Sequence, residues 1–442
     1  MPAPAGAARG PDGRLRPELL SGAVLIAVLI AVLMAACSSS PARPSASSAS
    51  GTPGPSVTSA PPTASPSPPV AGPGSSAPSS AAVTPPPPKP SARPTPSAPA
   101  RPAPAPTARL TAEQLAGQRI IYSYPGLTPP PALLQRIRAG EAAGVIIFGE
   151  NVSSDAQLRA AVAMLRSAQA ESPVHEPLLL MTDQEGGQIR RLPGEPTLSA
   201  KQVGATGNTS VAASAGTKAA LNLAGVGMNL NLAPVLDVFH SAGDFTDSTQ
   251  RSFSDNPSVV ASMGTAFLTA QQRDGVAATA KHFPGLGAAA RNQNTDLVPV
   301  TLNESLATLR GVDEVPYTRA ISAGVKLIMM SWATYPALDP SHPAGLSATV
   351  VRQELRGRLG FTGVTITDAL EAKALTPFGG TAQRAVDAAR AGMDLLLCSS
   401  RDVGQGEAAT TALVDALNAG QLDPATFRAA TARVTALRGH LH

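Results

Sequence analysis

The residues best suited to chemistry follow short apolar runs in the sequence. Asp183 follows one such run, Asp368 a second, and Lys281 and His282 a third, while Arg251 lies in the long loop after a fourth. Carboxylates among cationic and neutral hydrogen-bond donors suit a polyhydroxylated substrate. Cleavage of a glycosidic bond needs a carboxylate at the anomeric carbon and a proton donor at the leaving oxygen. The pattern therefore indicates sugar chemistry, with Asp368 as the carboxylate and the other four residues contacting hydroxyl and acetamido groups.

Each polar residue also has an ordinary structural interpretation when it is taken alone. Asp237 could cap a turn, Arg251 could pair with a surface acid, and Trp332, the only tryptophan, could belong to the core. Polar residues follow most of the apolar runs, however, and a shared pocket explains the whole set better than separate structural roles do.

Other kinds of site receive little support from the sequence. No HExxH or CxxC spacing occurs, so neither a metal nor a cofactor is expected. No G-x-S-x-G elbow of a serine hydrolase occurs either. The segment from Gly285 to Ala290 fits the dinucleotide motif G-x-G-x-x-A. That motif belongs on the first βα turn and should open a helix, whereas here it follows the fifth apolar run.

Eight apolar runs of strand length alternate with amphipathic segments from Leu110 onward. Short buried strands that alternate with helices predict a parallel sheet, and eight such units predict an α/β fold, a (β/α)8 barrel of the TIM type. A doubly wound open sheet is the alternative. In a barrel the residues after all the strands face one pocket. The predicted strands are Arg119–Tyr122, Gly144–Phe148, Leu178–Thr182, Met228–Leu232, Val276–Ala280, Val325–Met330, Gly363–Thr367 and Met393–Cys398.

The predicted helices lie between these strands and after the last of them. Cys398 falls in an apolar run and is expected to be a core residue. The predicted helices are Ala156–Ala170, Val211–Ala224, Ser258–Arg273, Leu306–Ala323 and Ala382–Ala391, followed by the closing helices Ala408–Leu417 and Pro424–Leu437.

Residues 1–37 have the features of a lipoprotein signal peptide. Three arginines precede an apolar run from Leu19 to Ala36, and small residues stand directly before Cys37. A basic start, an apolar run and small residues before a cleavage site are typical of a secretory signal. Ala35-Ala36-Cys37 resembles the end of the bacterial lipobox, in which the cysteine is lipidated. The protein is thus expected outside the cytoplasm on a membrane anchor, with an uncleaved transmembrane anchor as the alternative.

Residues 38–109 consist mostly of Pro, Ser, Ala and Thr and contain no Asp or Glu. This composition cannot bury enough apolar surface to offset the chain entropy, so a disordered linker is predicted. Of the 34 Lys and Arg and the 30 Asp and Glu in the chain, residues 1–109 hold eight and two, a net charge of +6. The remainder carries −2, so nucleic acid is not an expected partner. Residues 110–442 are predicted to form one monomeric domain.

Four motifs together resemble glycoside hydrolase family 3, and especially its single-domain bacterial β-N-acetylglucosaminidases that trim peptidoglycan fragments. They are DQEGG, NLAPVLDV, KHFPG and GVTITDAL, and they occur in the family's order across nearly all of residues 110–442. The resemblance implies a barrel, a carbohydrate substrate and a retaining double displacement. It carries the nucleophile onto Asp368. It carries the sugar-contacting residues onto Asp183, Arg191, Arg251, Lys281 and His282.

The loop after KHFPG departs from the family pattern. In those enzymes it contains Asp-Ser-His, whose histidine and aspartate form an acid/base dyad. Aligned without gaps, the dyad falls on Asn292 and Asn294; a two-residue insertion places Asp-Ser-His on Asn294-Thr295-Asp296. Asparagine cannot donate a proton at useful pH, and Asp296 is the only titratable carboxyl of the loop. Asp296 is therefore the candidate acid/base, and the alternative is that it faces solvent or caps the next element.

The sequence predicts a retaining glycoside hydrolase that acts on β-linked N-acetylglucosamine or a related β-glycoside in cell-wall turnover. The alternative is a sugar-binding lipoprotein that has lost its acid/base dyad. Such a protein would keep the residues that contact sugar and lose the proton donor. The aspartate at the nucleophile position, Asp368, argues against this alternative because binding alone does not require a nucleophile.

Overall fold

Eight parallel strands close into one barrel in a computed structural model, which describes residues 110–441. The predicted signal peptide with Cys37 and the predicted linker lie outside these residues. Each strand pairs with its sequence neighbours and the first pairs with the last, so the (β/α)8 prediction is confirmed and the open sheet is wrong. The barrel strands, in order, are Ile120–Tyr122, Gly144–Ile146, Leu179–Thr182, Leu230–Asn231, Ala277–Phe283, Leu327–Met330, Val364–Ala369 and Leu395–Leu397.

The outer helices begin where the sequence supplies capping side chains. The Asn256 side chain accepts a hydrogen bond from the backbone N–H of Ser258, and Pro257 takes the first helical position, where its missing N–H costs nothing. The α-helices are Ala112–Gly117, Pro131–Arg138, Asp155–Ala170, Ala200–Ala205, Thr209–Ala224, Phe245–Ser248, Pro257–Arg273, Leu306–Thr308, Val315–Ser322, Thr381–Ala391, Val403–Asn418 and Pro424–Arg438.

The predicted helix Leu306–Ala323 is not continuous. A π-helical segment, Leu309–Asp313, separates a single turn from the helix Val315–Ser322. Pro316 explains the break, because it has no backbone N–H to continue the preceding helix and is well placed at the start of a new one. A second π-helical segment, Thr349–Arg358, precedes the seventh strand.

Two layers of apolar side chains form the core. One layer fills the barrel, where Ile121, Met181, Leu230 and Ile366 are almost completely buried. The other packs the strands against the helices and includes Cys398, as predicted. Side chains of this size each contribute about 1.5–3 kcal/mol when fully buried. The strands are therefore held rigidly, and the loops at their carboxyl ends have a fixed base.

The amino end of the barrel carries a buried charge cluster. Asp394 is completely buried and pairs with Arg356 at 2.6 Å and with Arg433 at 2.7 Å. A buried carboxylate requires such partners, and charges at this end of a barrel usually serve stability. Within residues 110–441, no helix combines the length and the apolar composition that crossing a membrane requires.

Candidate active site

The carboxyl ends of the strands surround a pocket of about 610 Å³. A cavity of similar volume, about 660 Å³, lies at the opposite end of the barrel, but no Asp or Glu lines it. A pair of carboxylates, which cleavage of a glycosidic bond needs, is therefore available in the pocket at the carboxyl ends and not in this cavity. Every predicted site residue within residues 110–441 lines this pocket, namely Asp183, Arg191, Arg251, Lys281, His282, Asp296 and Asp368.

Lys281 and His282 lie within the fifth strand. The sequence had predicted that they follow it, and this prediction is wrong. The strand runs from Ala277 to Phe283, and all of its residues are buried. Charged residues usually end a buried strand because an unpaired charge is costly to bury. Here both side chains have buried partners, and the strand continues into the pocket wall.

The Lys281 ammonium is held between two carboxylates. Its Nζ lies 2.6 Å from Asp183 and 2.8 Å from Glu185. Arg251 donates to both oxygens of Glu185, at 2.9 and 2.8 Å, in the bidentate arrangement that favours buried pairs. Burial alone would raise the pKa of Glu185, but Arg251 and Lys281 hold it well below its usual range. Arg251 thus pairs with a buried acid inside the pocket, and not with a surface acid.

Arg191 is the most loosely held of the predicted pocket residues. Its Nε lies 3.8 Å from Asp183, and its side chain is 36 % exposed. A short hairpin, in which Gln184–Gly186 pairs with Ile189–Arg190, brings it back over the pocket. Gly186 has a φ of +113°, and a Cβ there would meet the carbonyl oxygen of Leu198 at 2.2 Å. Only glycine fits this turn.

His282 is oriented by a fully buried aspartate. The His282 Nδ1 lies 2.8 Å from Asp237, which also accepts hydrogen bonds from the backbone N–H groups of His282 and Leu286. Asp237 therefore does hold a turn, and it also fixes the imidazole. The Nε2 atom has no hydrogen-bond partner within residues 110–441, so it is the ring nitrogen that can meet a ligand in the pocket.

Asp368 is held at the end of the seventh strand. Its Oδ1 accepts a hydrogen bond of 2.7 Å from the Ala369 N–H, and the carbonyl of Ala369 accepts one of 2.8 Å from the indole of Trp332. Trp332 is buried, so it is a core residue that also supports the strand end. The half-buried Asp368 side chain is left with one oxygen for the pocket.

The loop that carries Asp296 is fastened to the segment after the seventh strand. The backbone N–H of Lys373 donates to the Asp296 carbonyl at 3.2 Å, and that of Ala374 donates to Thr295 at 3.0 Å. Burial and the negative charge of Asp368 raise the pKa of Asp296 to about 6. The outer side of the residue is exposed, so solvent screens part of this effect. Asp296 and Asp368 thus share one pocket and influence each other.

Two further carboxylates line the pocket that were not predicted from the sequence, Glu185 and Glu371. Glu185 belongs to the DQEGG motif. The sequence signal for it was the presence of two predicted pocket cations, Lys281 and Arg251, which need an acid in addition to Asp183. Glu371 follows Asp368 by three residues. It accepts hydrogen bonds from the Ser399 hydroxyl at 2.7 Å, the Ser399 N–H at 3.3 Å and the Gln405 amide at 3.1 Å.

The pocket does not resemble a metal or dinucleotide site. Among residues 110–441, no group of three or more His, Cys, Asp or Glu side chains is arranged to hold a metal ion. The segment Gly285–Ala290 forms turns and opens no helix, so it lacks the helix N-terminus that would bind a pyrophosphate. The donors and carboxylates described above suit a neutral, hydroxyl-rich ligand.

Comparisons with known proteins agree with this chemistry. The model of the glycosyl hydrolase family 3 N-terminal domain matches residues 128–437. A secreted glycosyl hydrolase of Arthroderma benhamiae is 49 % identical over 329 residues, which cover 74 % of this chain and 93 % of the relative. A β-hexosaminidase of Tolumonas auensis is 33 % identical over 271 residues, 60 % of this chain and 78 % of the relative.

Two solved structures share the fold. A family 3 β-N-acetylglucosaminidase from Paenibacillus sp. FPU-7 aligns with a TM-score of 0.71 and 32 % identity, covering 75 % of this chain and 63 % of that chain. A β-N-acetylhexosaminidase from Beutenbergia cavernae aligns with a TM-score of 0.68 and 33 % identity, covering 75 % of this chain and 99 % of that chain.

Proposed function

Because the chain belongs to glycosyl hydrolase family 3, we propose that it is a retaining glycosidase that releases β-linked N-acetylglucosamine. The observation that carries this proposal is the pair of carboxylates, Asp368 and Asp296, in one pocket with buried hydrogen-bond donors. Asp368 is the nucleophile, and Asp296 is the acid that later acts as the base. The names of the hexosaminidase relatives support the choice of sugar.

The proposed reaction has two steps. In the first, a carboxylate oxygen of Asp368 attacks the anomeric carbon while Asp296 protonates the leaving oxygen, which gives a glycosyl-enzyme ester and a free alcohol. In the second, Asp296 removes a proton from water, the water oxygen attacks the anomeric carbon, and Asp368 leaves as a carboxylate. A raised Asp296 pKa serves the first step, because the carboxyl must hold its proton near neutral pH.

The residues around Lys281 supply the proposed sugar contacts. Asp183 accepts hydrogen bonds from hydroxyl groups. On the other side of the ring the Lys281 ammonium donates, and the His282 Nε2 donates or accepts according to its tautomer. Arg191 reaches the sugar from the rim, where its ion pair with Asp183 is long at 3.8 Å. Arg251 uses two of its five N–H donors on Glu185, which keeps the cluster rigid and leaves the other three for a ligand.

The proposal is tested by assaying the purified protein on a panel of β-glycosides. We expect hydrolysis of aryl β-N-acetylglucosaminide and of a β-linked N-acetylglucosamine disaccharide, with retention of the β configuration in the first product. Preferential hydrolysis of β-glucosides or β-xylosides would mean that N-acetylglucosamine is not the sugar that the pocket binds. Binding of N-acetylglucosamine without any turnover would favour the sugar-binding lipoprotein, to which the absence of a histidine in the loop after Gly285 also points.

Lys281→Met should weaken sugar binding and also lower stability. A hydrogen bond to a charged group contributes about 1.5–3 kcal/mol, so affinity for N-acetylglucosamine should fall roughly tenfold or more. Removing one partner of a buried ion pair costs about 3–5 kcal/mol, because Asp183 and Glu185 lose their shared cation. Titration calorimetry and thermal unfolding measure the two effects.

Lys326→Met is the matched control, because Lys326 is exposed at the opposite end of the barrel. It should leave both affinity and stability near the wild-type values. Wild-type affinity in a folded Lys281→Met protein would remove Lys281 from the sugar site.

We also propose that the protein works outside the cytoplasm, in cell-wall turnover, as a lipoprotein. The secreted relative supports the coarse location, and Ala35-Ala36-Cys37 supports the lipid anchor. Mass spectrometry of the native protein should find Cys37 as a diacylglyceryl-modified N-terminus. A mature chain with unmodified Cys37, or one cut at another residue, would contradict the anchor while leaving the enzymatic proposal intact.

A further inference from the structure

We infer that Glu371, a further carboxylate of the pocket, is a positioning residue that acts through Asp296 and helps this acid to keep its proton. This inference rests on the proposed function, because it matters only if Asp296 is the acid. Glu371 itself needs no contact with the reacting atoms. Its carboxylate is held in place by Ser399 and by Gln405 of the helix Val403–Asn418.

The surroundings of Glu371 fix its carboxylate at the pocket wall. Ser399 donates to it through both its hydroxyl and its backbone N–H, and Gln405 donates through its amide. All three donors belong to the segment after the eighth strand, and both oxygens of Glu371 are occupied. A carboxylate whose two oxygens both accept hydrogen bonds from the same segment is held in one orientation.

The backbone brings Asp296 to the same place. Asp296 accepts a hydrogen bond from Lys373, two residues after Glu371, and the Ala374 N–H holds the preceding Thr295. Thr295 is buried, so this junction is packed as well as hydrogen-bonded. The Asp296 loop cannot move away from the segment of Glu371 without breaking both contacts.

The charged groups around Asp296 act on its pKa in both directions. Burial is the largest influence and raises its pKa, and the charges of Asp368 and Glu371 raise it further, while Arg251 and His282 lower it. Lys373 also lines the pocket on the same segment, with an exposed side chain that has no ion pair within residues 110–441. Removing Glu371 removes one of the negative charges that raise the Asp296 pKa, and therefore favours loss of the proton from Asp296.

The expected effect has a definite sign. Asp296 must be protonated in the free enzyme to act as the acid, so kcat/KM on a poor leaving group falls as the pH rises through the Asp296 pKa. A neutral residue in place of Glu371 lowers that pKa and moves this alkaline limb to lower pH. The plateau on the acid side of the limb should stay in place, because Asp296 is protonated there with or without Glu371.

The experiment compares pH profiles of kcat/KM for the N-acetylglucosamine disaccharide in the full-length wild type, Glu371→Gln and Glu371→Ser. Both variants remove the charge from a half-buried loop position outside the apolar core. We expect the midpoint of the alkaline limb to fall by on the order of half a pH unit, about threefold in activity above the midpoint. On an aryl glycoside, which needs little acid assistance, the shift should be much smaller.

Gln405→Ala is the control, because it removes one donor to Glu371 and keeps the charge. It should leave the midpoint unmoved even if the melting temperature falls. An unmoved midpoint in both Glu371 variants, or an equal shift in Gln405→Ala, would contradict the proposed role. Glu371 would then only connect two segments of the structure. If Asp296→Ala in the same assay affects both substrates equally and slightly, the assignment of the acid fails instead, and the two failures are thus distinguished.

Discussion

Asp368→Asn should lower kcat by on the order of 10⁴-fold or more, the loss seen when a covalent nucleophile is removed. The amide keeps the shape of the carboxylate, and the backbone hydrogen bond from Ala369 can still form. It cannot, however, form the glycosyl ester that the double displacement requires. The loss should appear equally on activated and unactivated β-N-acetylglucosaminides, because both must form this ester.

A 2-fluoro sugar with a good leaving group provides direct evidence for the nucleophile. It should accumulate the glycosyl-enzyme, and mass spectrometry of the digested protein should locate the label on Asp368. Asp255→Asn, at an exposed position of the loop after the fourth strand, is the matched control and should retain wild-type turnover. A label on another pocket carboxylate, or substantial activity in Asp368→Asn, would reject the assignment.

Asp296→Ala should show a loss that depends on the leaving group. General acid catalysis contributes about 10²–10⁴-fold, so the disaccharide should lose at least a hundredfold in kcat/KM. An aryl glycoside with an acidic phenol needs little protonation and should lose far less in its first step. Its second step still needs a base, and added azide should restore turnover by attacking the glycosyl-enzyme and giving a glycosyl azide.

Asn292→Ala is the control for Asp296, because an ungapped alignment would put the family's dyad there and the side chain cannot exchange a proton. It should leave the activity on both substrates nearly unchanged. Equal, small losses in Asp296→Ala would mean that this aspartate is not the acid. The enzyme would then depend on water for protonation and turn over slowly.

Apolar periodicity was sufficient to predict the barrel, because each buried strand appears in the sequence as a short continuous run. The polar residues after those runs located the pocket for the same reason, since parallel strands end at one face. Charges beyond a run were harder to interpret. Lys281 and His282 extend the fifth strand because Asp183, Glu185 and Asp237 neutralise or orient them, and these partners stand 45 to 98 residues away in the chain.

Long-range pairing also explains which partners and which site residues were not predicted. Arg251 was predicted to contact the sugar, but nothing in its loop indicates that Glu185, 66 residues earlier, accepts two hydrogen bonds from one edge of its guanidinium. In the sequence Glu371 cannot be distinguished from a surface acid, because its hydrogen-bond donors come from the segment after the eighth strand. The break at Pro316 was different, because the proline was visible and its effect on the helix Leu306–Ala323 follows from local geometry alone.

Trp332 gives the pocket a built-in optical probe. It is the only tryptophan among all 442 residues, and its indole is hydrogen-bonded to the residue that follows Asp368. The ultraviolet emission of the whole protein is therefore dominated by one fluorophore beside the proposed nucleophile. Stopped-flow fluorescence can follow the filling of the pocket and the build-up of a covalent intermediate without any added dye, and on natural substrates that release no chromophore.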